Sequence, residues 1–398
     1  MPIFIFLKQL VDMCYQFKIL DYGMVILCLF LLCRKIGKDK IYKNLKEFLC
    51  PADYLIIALV LIYAVSFLRY PSAYGNFFKI ESCFLLYFLG RAYGCDILQY
   101  GKLLAGAGYI VVYSNFFYRF YQFGFKFIVT GPEETLLNVG GLYYYKTDLA
   151  IGIIIAVLFI YMFSEVKWLK WITILPVCGY MVFYSGARTG QLIMAVEYLL
   201  IFLHELELRE RFALKLKEKY VFWIGGVLSF LVLVFFIVLQ FIPFTEIAPG
   251  MGDEAGAGAF LEKLMHSRHI VWWDILDFFS NQSFLTRIFG IDLGTEYLHN
   301  SKGIAAHSMY VKQIYAAGYL GCFVFLAFLI SIFRKLLQED DRKQKYIVLI
   351  LWSMLLIAGL TVESLESTQM SWFPMLSAGM LLTGKRQSAA CMNEDSCG

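Results

Sequence analysis

The stretch 309–333, MYVKQIYAAGYLGCFVFLAFLISIF, decides the fold of this chain because it is long and apolar. A helix needs about 20 predominantly apolar residues to cross a bilayer. The segment is therefore predicted to be a transmembrane helix, and residues 148–163 and 221–243 show the same pattern.

The composition extends this prediction to the whole chain. Of its 398 residues, 60% are hydrophobic and 17% are charged, with a mean hydropathy of +0.65. Soluble domains are about 45–50% apolar and about 25% charged. The composition excludes a soluble enzyme and a disordered or fibrous protein, and the net charge of +4 predicts no nucleic-acid partner.

The predicted fold class is all-α, a polytopic transmembrane helical bundle of about 11–12 spans. The stretch before residue 20 is either an interfacial helix or an extra span. One long extracytoplasmic loop is expected, with an interfacial helix over 261–279. The predicted spans are 20–33, 53–69, 77–93, 102–118, 148–163, 168–184, 190–203, 221–243, 309–333, 346–362 and 368–383.

Basic residues set the predicted orientation, because short cytoplasmic loops are rich in Lys and Arg. With this span count all four basic clusters fall on one side; they are 34–46, 209–219, 334–345 and 385–386. The predicted organisation is an N-terminal transmembrane bundle over 1–243, a long extracytoplasmic loop over 244–308, and C-terminal transmembrane helices with a short cytoplasmic tail over 309–398.

Three groups of residues on the outer side are candidates for chemistry. The first is the turn SGARTG, 185–190, where Arg188 offers a planar fork to phosphate oxygens. An arginine that reaches for the membrane interface from a tight turn explains the same pattern.

The second group is Arg268 with Trp272 in the long loop, suited to an anionic headgroup or a sugar ring. Tryptophans of an interfacial helix explain it equally well. Arg119 and Lys126 in the other long outer segment are weaker candidates for the same contacts.

The third group is His307 at the mouth of span 309–333, followed by Tyr310. A histidine titrates near neutral pH and can take a proton from a hydroxyl. A polar helix cap is the alternative for a single histidine.

Carboxylates give weaker signals. Asp274 and Asp277 are expected to share a helical face, as are Glu363 and Glu366, with solvated faces or packing as the favoured interpretation. Glu197, like Glu81, falls inside a predicted span, where a carboxylate is costly and needs a partner. The sequence has no Cys-x-x-Cys pair, no Walker-type loop and no Asp-x-Asp pair in an outer loop, so no metal site is predicted.

The order of these groups resembles the O-antigen polymerase and O-antigen ligase superfamily of bacterial membrane proteins. The similarity covers 185–325: an arginine turn, a long loop with Arg268 before a tryptophan, RIFGIDLG at 287–294, and a His-Ser-x-Tyr run entering a helix with GYLG. The family usually has His-Asn where this chain has His307-Ser308, so a side-chain amide is missing.

The resemblance implies a metal-independent glycosyltransferase without cofactors in the bacterial cytoplasmic membrane. Its donor and acceptor would be undecaprenyl-diphosphate-linked oligosaccharides, in contact with membrane lipid, with a chain-length regulator and a flippase as further partners. Arg188 and Arg268 would bind the diphosphate. His307 would act on the acceptor hydroxyl as a base or as an orienting donor. Arg119, Lys126, Trp272 and Tyr310 are weaker substrate contacts.

Polymerisation of repeat units ranks above ligation to a lipid or protein acceptor, because nothing in the chain indicates such an acceptor. A flippase for lipid-linked oligosaccharide is the rival from another class. Transporters place ionisable groups at mid-membrane between helical repeats, whereas the best candidates here lie at the outer mouth.

Overall fold

The computed structural model describes residues 2–14, 17–39, 41, 48–94, 101–123, 142–143, 145–208 and 268–383. Within these ranges the regular structure is helical and contains no strand, which confirms the all-α prediction. The helices are α1 (Pro2–Met13), α2 (Lys18–Lys38), α3 (Pro51–Arg69), α4 (Tyr74–Tyr93), α5 (Gly101–Phe123), α6 (Lys146–Phe163), α7 (Lys167–Ile172), α8 (Gly179–Tyr184), α9 (Arg188–Leu208), α10 (Arg268–Ser280), α11 (Phe284–Phe289), α12 (Met309–Leu337), α13 (Arg342–Ala358) and α14 (Thr368–Leu382).

Four helices in the described part of the chain are long and apolar enough to cross a membrane. They are α3, α6, residues Arg188–Leu206 of α9, and α12. Helices also cover the other predicted spans except 221–243, which lies outside the described residues. The number of crossings stays a prediction.

Two predicted segments differ in detail from a continuous transmembrane helix. Span 168–184 consists of α7, a π-helical turn Thr173–Cys178 and α8. Pro176 lies inside that turn and lacks the N–H that a regular helix needs. α1 is 12 residues long, shorter than a bilayer span requires.

The core is built around α6 and α14, whose residues 149–163 and 369–381 are all buried. A helix that is apolar on every side is stable only when other helices surround it. α14 approaches α4 so closely that Gly90 and Gly379 leave no room for a Cβ atom between the two backbones.

One end of the bundle carries the described parts of two predicted basic clusters, 34–46 and 334–345. Arg91 Nη1 at the end of α4 donates to Leu382 O at the end of α14, 2.6 Å away. Lys343 Nζ, at the start of α13, lies 4.1 Å from the ring centroid of Phe163 at the end of α6. We call this the basic end; clusters 209–219 and 385–386 lie outside the described residues.

The starts of α6, α9, α12 and α14 lie at the opposite end, which we call the site end. Gln369 Nε2 at the start of α14 donates to Asp148 O at the start of α6, 2.6 Å away. α1 reaches this end too, because Lys8 Nζ lies 3.4 Å from Thr368 Oγ1. The three groups of candidate residues belong to this end.

Candidate active site at the site end

The turn 185–190 is fixed by its own hydrogen bonds and by the segment that follows α13. Ser185 Oγ donates to Val182 O (2.6 Å) and accepts from Ala187 N (3.2 Å). The Thr189 and Thr361 hydroxyl oxygens are 2.6 Å apart. Arg188 is the first residue of α9 and is exposed. The backbone N–H groups at this helix N-terminus also favour anions.

His307 lies beside the same segment, 359–367. Its backbone N donates to Glu363 Oε1 at 3.2 Å, and Met309 N donates to Gly359 O at 2.8 Å. His307 has a φ of 48°, the single positive value among the described non-glycine residues. Such a backbone is held by its surroundings at a cost of about 1–3 kcal/mol, and here it leaves the imidazole exposed.

Ser308, which stands where the resembled family has asparagine, is buried and faces the protein. Its Oγ donates to Gly359 O over 3.3 Å. The hydroxyl therefore ties the start of α12 to the end of α13.

Helix α10, which begins at Arg268, contacts this region through Trp272. Trp272 Nε1 donates to Ala306 O, the residue before His307, over 2.7 Å. Asp274 accepts bonds from the backbone N and the hydroxyl of Ser301 at 2.7 and 2.6 Å. Arg268 lies one helical turn from Trp272 on the same face; its partial burial lowers the pKa of its guanidinium from the ordinary value.

These contacts connect the elements that carry the three predicted groups. Thr189 touches Thr361, His307 touches Glu363 in the same segment, and Trp272 touches Ala306. Arginines suit a reaction in which negative charge develops on a leaving group, and a histidine suits one in which a hydroxyl loses a proton.

The weaker candidates are placed differently. Arg119 on α5 is 2% exposed and Trp272 is 6% exposed. Tyr310 OH donates to Leu356 O at 2.8 Å. These three side chains therefore face protein, and Lys126 lies outside the described residues.

Sequence reasoning missed a buried ion cluster directly behind His307. Lys312 is paired with Glu296, and its Nζ lies 3.5 Å from Glu366 Oε1. Burial raises the pKa of the Glu296 carboxyl and, with Lys312 opposing it, raises the pKa of Glu366 to about 7. Lys312 breaks an apolar span as Glu197 does, so the signal that singled out Glu197 was available for it.

One expectation for this region is corrected. Glu363 and Glu366 do not share a helical face, because residues 359–367 form a turn between α13 and α14. Only part of the predicted interfacial helix is described, and α10 packs its Val271 and Ile275 against Val311 and Tyr315 of α12. The apolar side chains of α12 therefore cover this face of α10.

The RIFGIDLG segment acts as a brace on α12. Gly290 and Gly318, with φ of 80° and 65°, sit where an added Cβ would collide with the opposing backbone. The break at Gly318 leaves the Tyr315 carbonyl free to accept from Ile291 N at 2.7 Å. Arg69 of α3 donates to the Gly290 carbonyl, so the segment joins α3 to α12.

The described part of the chain contains no group of three or more His, Cys, Asp or Glu side chains arranged to hold a metal. In comparisons with known proteins, no family model matches the chain and no curated protein matches it significantly. The family resemblance therefore rests on the residues themselves and stays a prediction.

Proposed function

We propose that this chain is an integral membrane glycosyltransferase of the bacterial cytoplasmic membrane. It would polymerise oligosaccharide repeat units carried on undecaprenyl diphosphate, at the membrane face opposite the basic clusters. The observation that supports this most is the contact chain Thr189–Thr361, His307–Glu363 and Trp272–Ala306. It places the elements that carry Arg188, Arg268 and His307 at one end of the bundle.

The proposed reaction gives these three side chains two roles. The anomeric C–O bond of the donor breaks and its electron pair goes to the diphosphate, whose charge Arg188 and Arg268 stabilise. The acceptor hydroxyl oxygen forms the new bond to the anomeric carbon. Its proton passes to the exposed imidazole of His307, and the diphosphate linkage supplies the driving force.

Complementation of a strain that lacks this chain tests the assignment. Arg188→Ala, Arg268→Ala and His307→Ala are each expected to abolish long glycan at unchanged membrane abundance. Arg334→Ala, an exposed arginine near the end of α12 at the basic end, is the matched control and should support normal glycan. Normal glycan length in all three site variants would refute the assignment.

One observation favours a carrier for lipid-linked oligosaccharide as the second candidate. Glu197 lies near the middle of α9 and is 1% exposed, and its carboxylate has no hydrogen-bond partner in the described part of the chain. Ionisable groups at that depth mark transport pathways in many membrane proteins. Glu197→Gln separates the candidates: a carrier should lose activity, whereas the proposed enzyme should keep it.

A further inference from the structure

The break at Gly318 divides α12 into two parts with different surroundings. Residues 309–317 are buried or half-buried, and α10 packs against them. Beyond the break, the apolar side chains of Phe323 and Ile330 are 69% and 48% exposed. Large exposed apolar side chains on a helix of membrane-spanning length suit contact with lipid. The second part of α12 therefore has the surface of a lipid-facing helix, whereas the first part is covered by protein.

The lengths of two packed helices locate the edge of the membrane at the break. Residues 319–337 are as many as the 19 residues of α3, and each stretch is about 28 Å long. The apolar core of a bilayer is about 30 Å thick. Arg69 at the end of α3 donates to the Gly290 carbonyl, and Gly290 lies against Gly318. The site-side ends of the two stretches therefore lie close together, at the edge of the membrane.

Helix α11 lies at this level and presents apolar side chains outward. Its last residue, Phe289, directly precedes Gly290 and is 42% exposed. Phe284 and Leu285 are 69% and 66% exposed. A short helix with exposed aromatic and aliphatic side chains, placed beside the end of a membrane span, is typical of an element that lies in the membrane interface.

Two arginines beside this face have no acidic partner in the described part of the chain. Arg287 on α11 forms no ion pair there, and its Nε has no hydrogen-bond acceptor. Arg69 is exposed and uses one nitrogen, Nη1, for the carbonyls of Gly290 and Ile291. Asp292 is buried and accepts from the backbone of the segment that follows it. The surplus positive charge at the membrane edge therefore matches the phosphates of anionic lipids.

We propose that α11 is seated in the headgroup layer of the membrane at the site end. Phe284 and Leu285 would lie among the acyl chains, and Arg69 and Arg287 would bind lipid phosphates. The apolar face continues the lipid-facing surface of α12, and its charge complements anionic headgroups, so the occupant is membrane lipid. The proposal does not depend on the reaction assigned to the mouth.

Spin labels test the depth of α11 in the full chain, reconstituted in nanodiscs of phosphatidylcholine and phosphatidylglycerol. Leu285→Cys is labelled in a version without the ten native cysteines, with Phe284→Cys as a second position if the first does not fold. Collisions of the label with oxygen, which concentrates in the bilayer, and with a nickel chelate, which stays in water, report its depth. Phe323→Cys serves as the control in lipid and Lys302→Cys as the control in water.

The label at 285 is expected to favour oxygen over the chelate, at a depth between those of the two controls. A label that meets the chelate as often as the label at 302 would place α11 in water and overturn the proposal. Protection from both reagents would show that protein covers this face, and it would overturn the proposal too.

The lipid phosphates are tested by native mass spectrometry of the purified chain in detergent, with phosphatidylglycerol as the probe. Arg287→Gln is expected to weaken its binding by about fivefold, the contribution of one basic residue at an anionic surface. Arg287→Lys, which keeps the charge, should restore most of the affinity. Lys302→Gln removes an exposed charge from the segment that returns to His307, and it should bind the lipid as the wild type does.

Three results would overturn the assignment of lipid phosphates to this face. They are unchanged binding in Arg287→Gln, equal affinity of the wild type for phosphatidylcholine, and displacement of the lipid by inorganic phosphate alone. None of these measurements requires glycan transfer, so they decide on this surface whether or not the chain is the proposed enzyme.

Discussion

At the scale of single residues, a substitution of His307 is expected to change stability and activity in opposite directions. Its left-handed backbone is imposed by Glu363 and by the start of α12, and an L side chain adopts that conformation at a cost. A strained residue that is also exposed at a polar mouth is typical of a functional site. The strain and the proposed proton transfer can therefore be tested in one position.

His307→Gly should increase thermal stability slightly, by up to about 1 kcal/mol, because glycine accepts a positive φ freely. The same substitution should lower glycan transfer by at least about 100-fold, the contribution of a general base. Thermal unfolding in detergent and the transfer assay measure the two effects. A variant that is stabilised and fully active would show that the imidazole has no chemical role.

Glu366 makes stability depend on pH. It is buried with Lys312, Glu296, Glu363 and Lys79 as its charged neighbours, and burial raises its pKa from 4.5 to about 7. The folded state holds this proton more tightly than the unfolded state. The contribution of Glu366 to stability is therefore complete below its ordinary pKa and is lost as the pH rises through about 7.

Glu366→Gln cannot ionise, so its melting temperature should rise relative to that of the wild type between about pH 5 and about pH 8. Differential scanning fluorimetry in detergent measures this difference. Glu339→Gln at the basic end controls for the removal of a carboxylate as such. A melting-temperature difference between Glu366→Gln and wild type that is constant with pH contradicts the account.

At the scale of elements, α12 shows what the sequence could and could not predict. Its apolar length predicted the helix, and the position of His307 predicted a mouth at its start. The break at Gly318 was not predictable, because it depends on Gly290, 28 positions earlier. A charge at Lys312 inside an apolar span was a readable signal, but its pairing with Glu296 and Glu366 was not predictable, because both partners come from distant segments.

Three glycine-to-alanine substitutions distinguish the effect of a positive φ from the effect of a lack of space for a Cβ atom. Gly318 has a positive φ and no space, Gly303 has a positive φ with nothing within 4 Å, and Gly23 lies in a helix with open space. Gly318→Ala should destabilise the protein by at least about 2–3 kcal/mol, Gly303→Ala by about 1, and Gly23→Ala should stabilise it by up to about 1.

Thermal unfolding of the three variants in the same detergent ranks their effects on stability. Gly318→Ala should also reduce activity, because the brace of 287–294 would shift against α12. Equal effects of Gly318→Ala and Gly303→Ala would mean that the close approach of Gly290 contributes nothing.

At the scale of the whole molecule, the two ends of the bundle should face opposite sides of the membrane. Lys302 lies near the site end and Arg334 at the basic end, and both are exposed. In a version with all ten native cysteines replaced, Lys302→Cys should react with an impermeant maleimide in intact spheroplasts. Arg334→Cys should react only after the membrane is opened; labelling of both from one side would contradict the orientation.

The central claim is that the site end performs glycosyl transfer. Its most direct test reconstitutes the purified chain in liposomes and adds an undecaprenyl-diphosphate-linked repeat unit. We expect a ladder of longer glycans that requires Arg188, Arg268 and His307 and persists in Glu197→Gln. Glycan that crosses the bilayer without growing in length would contradict it.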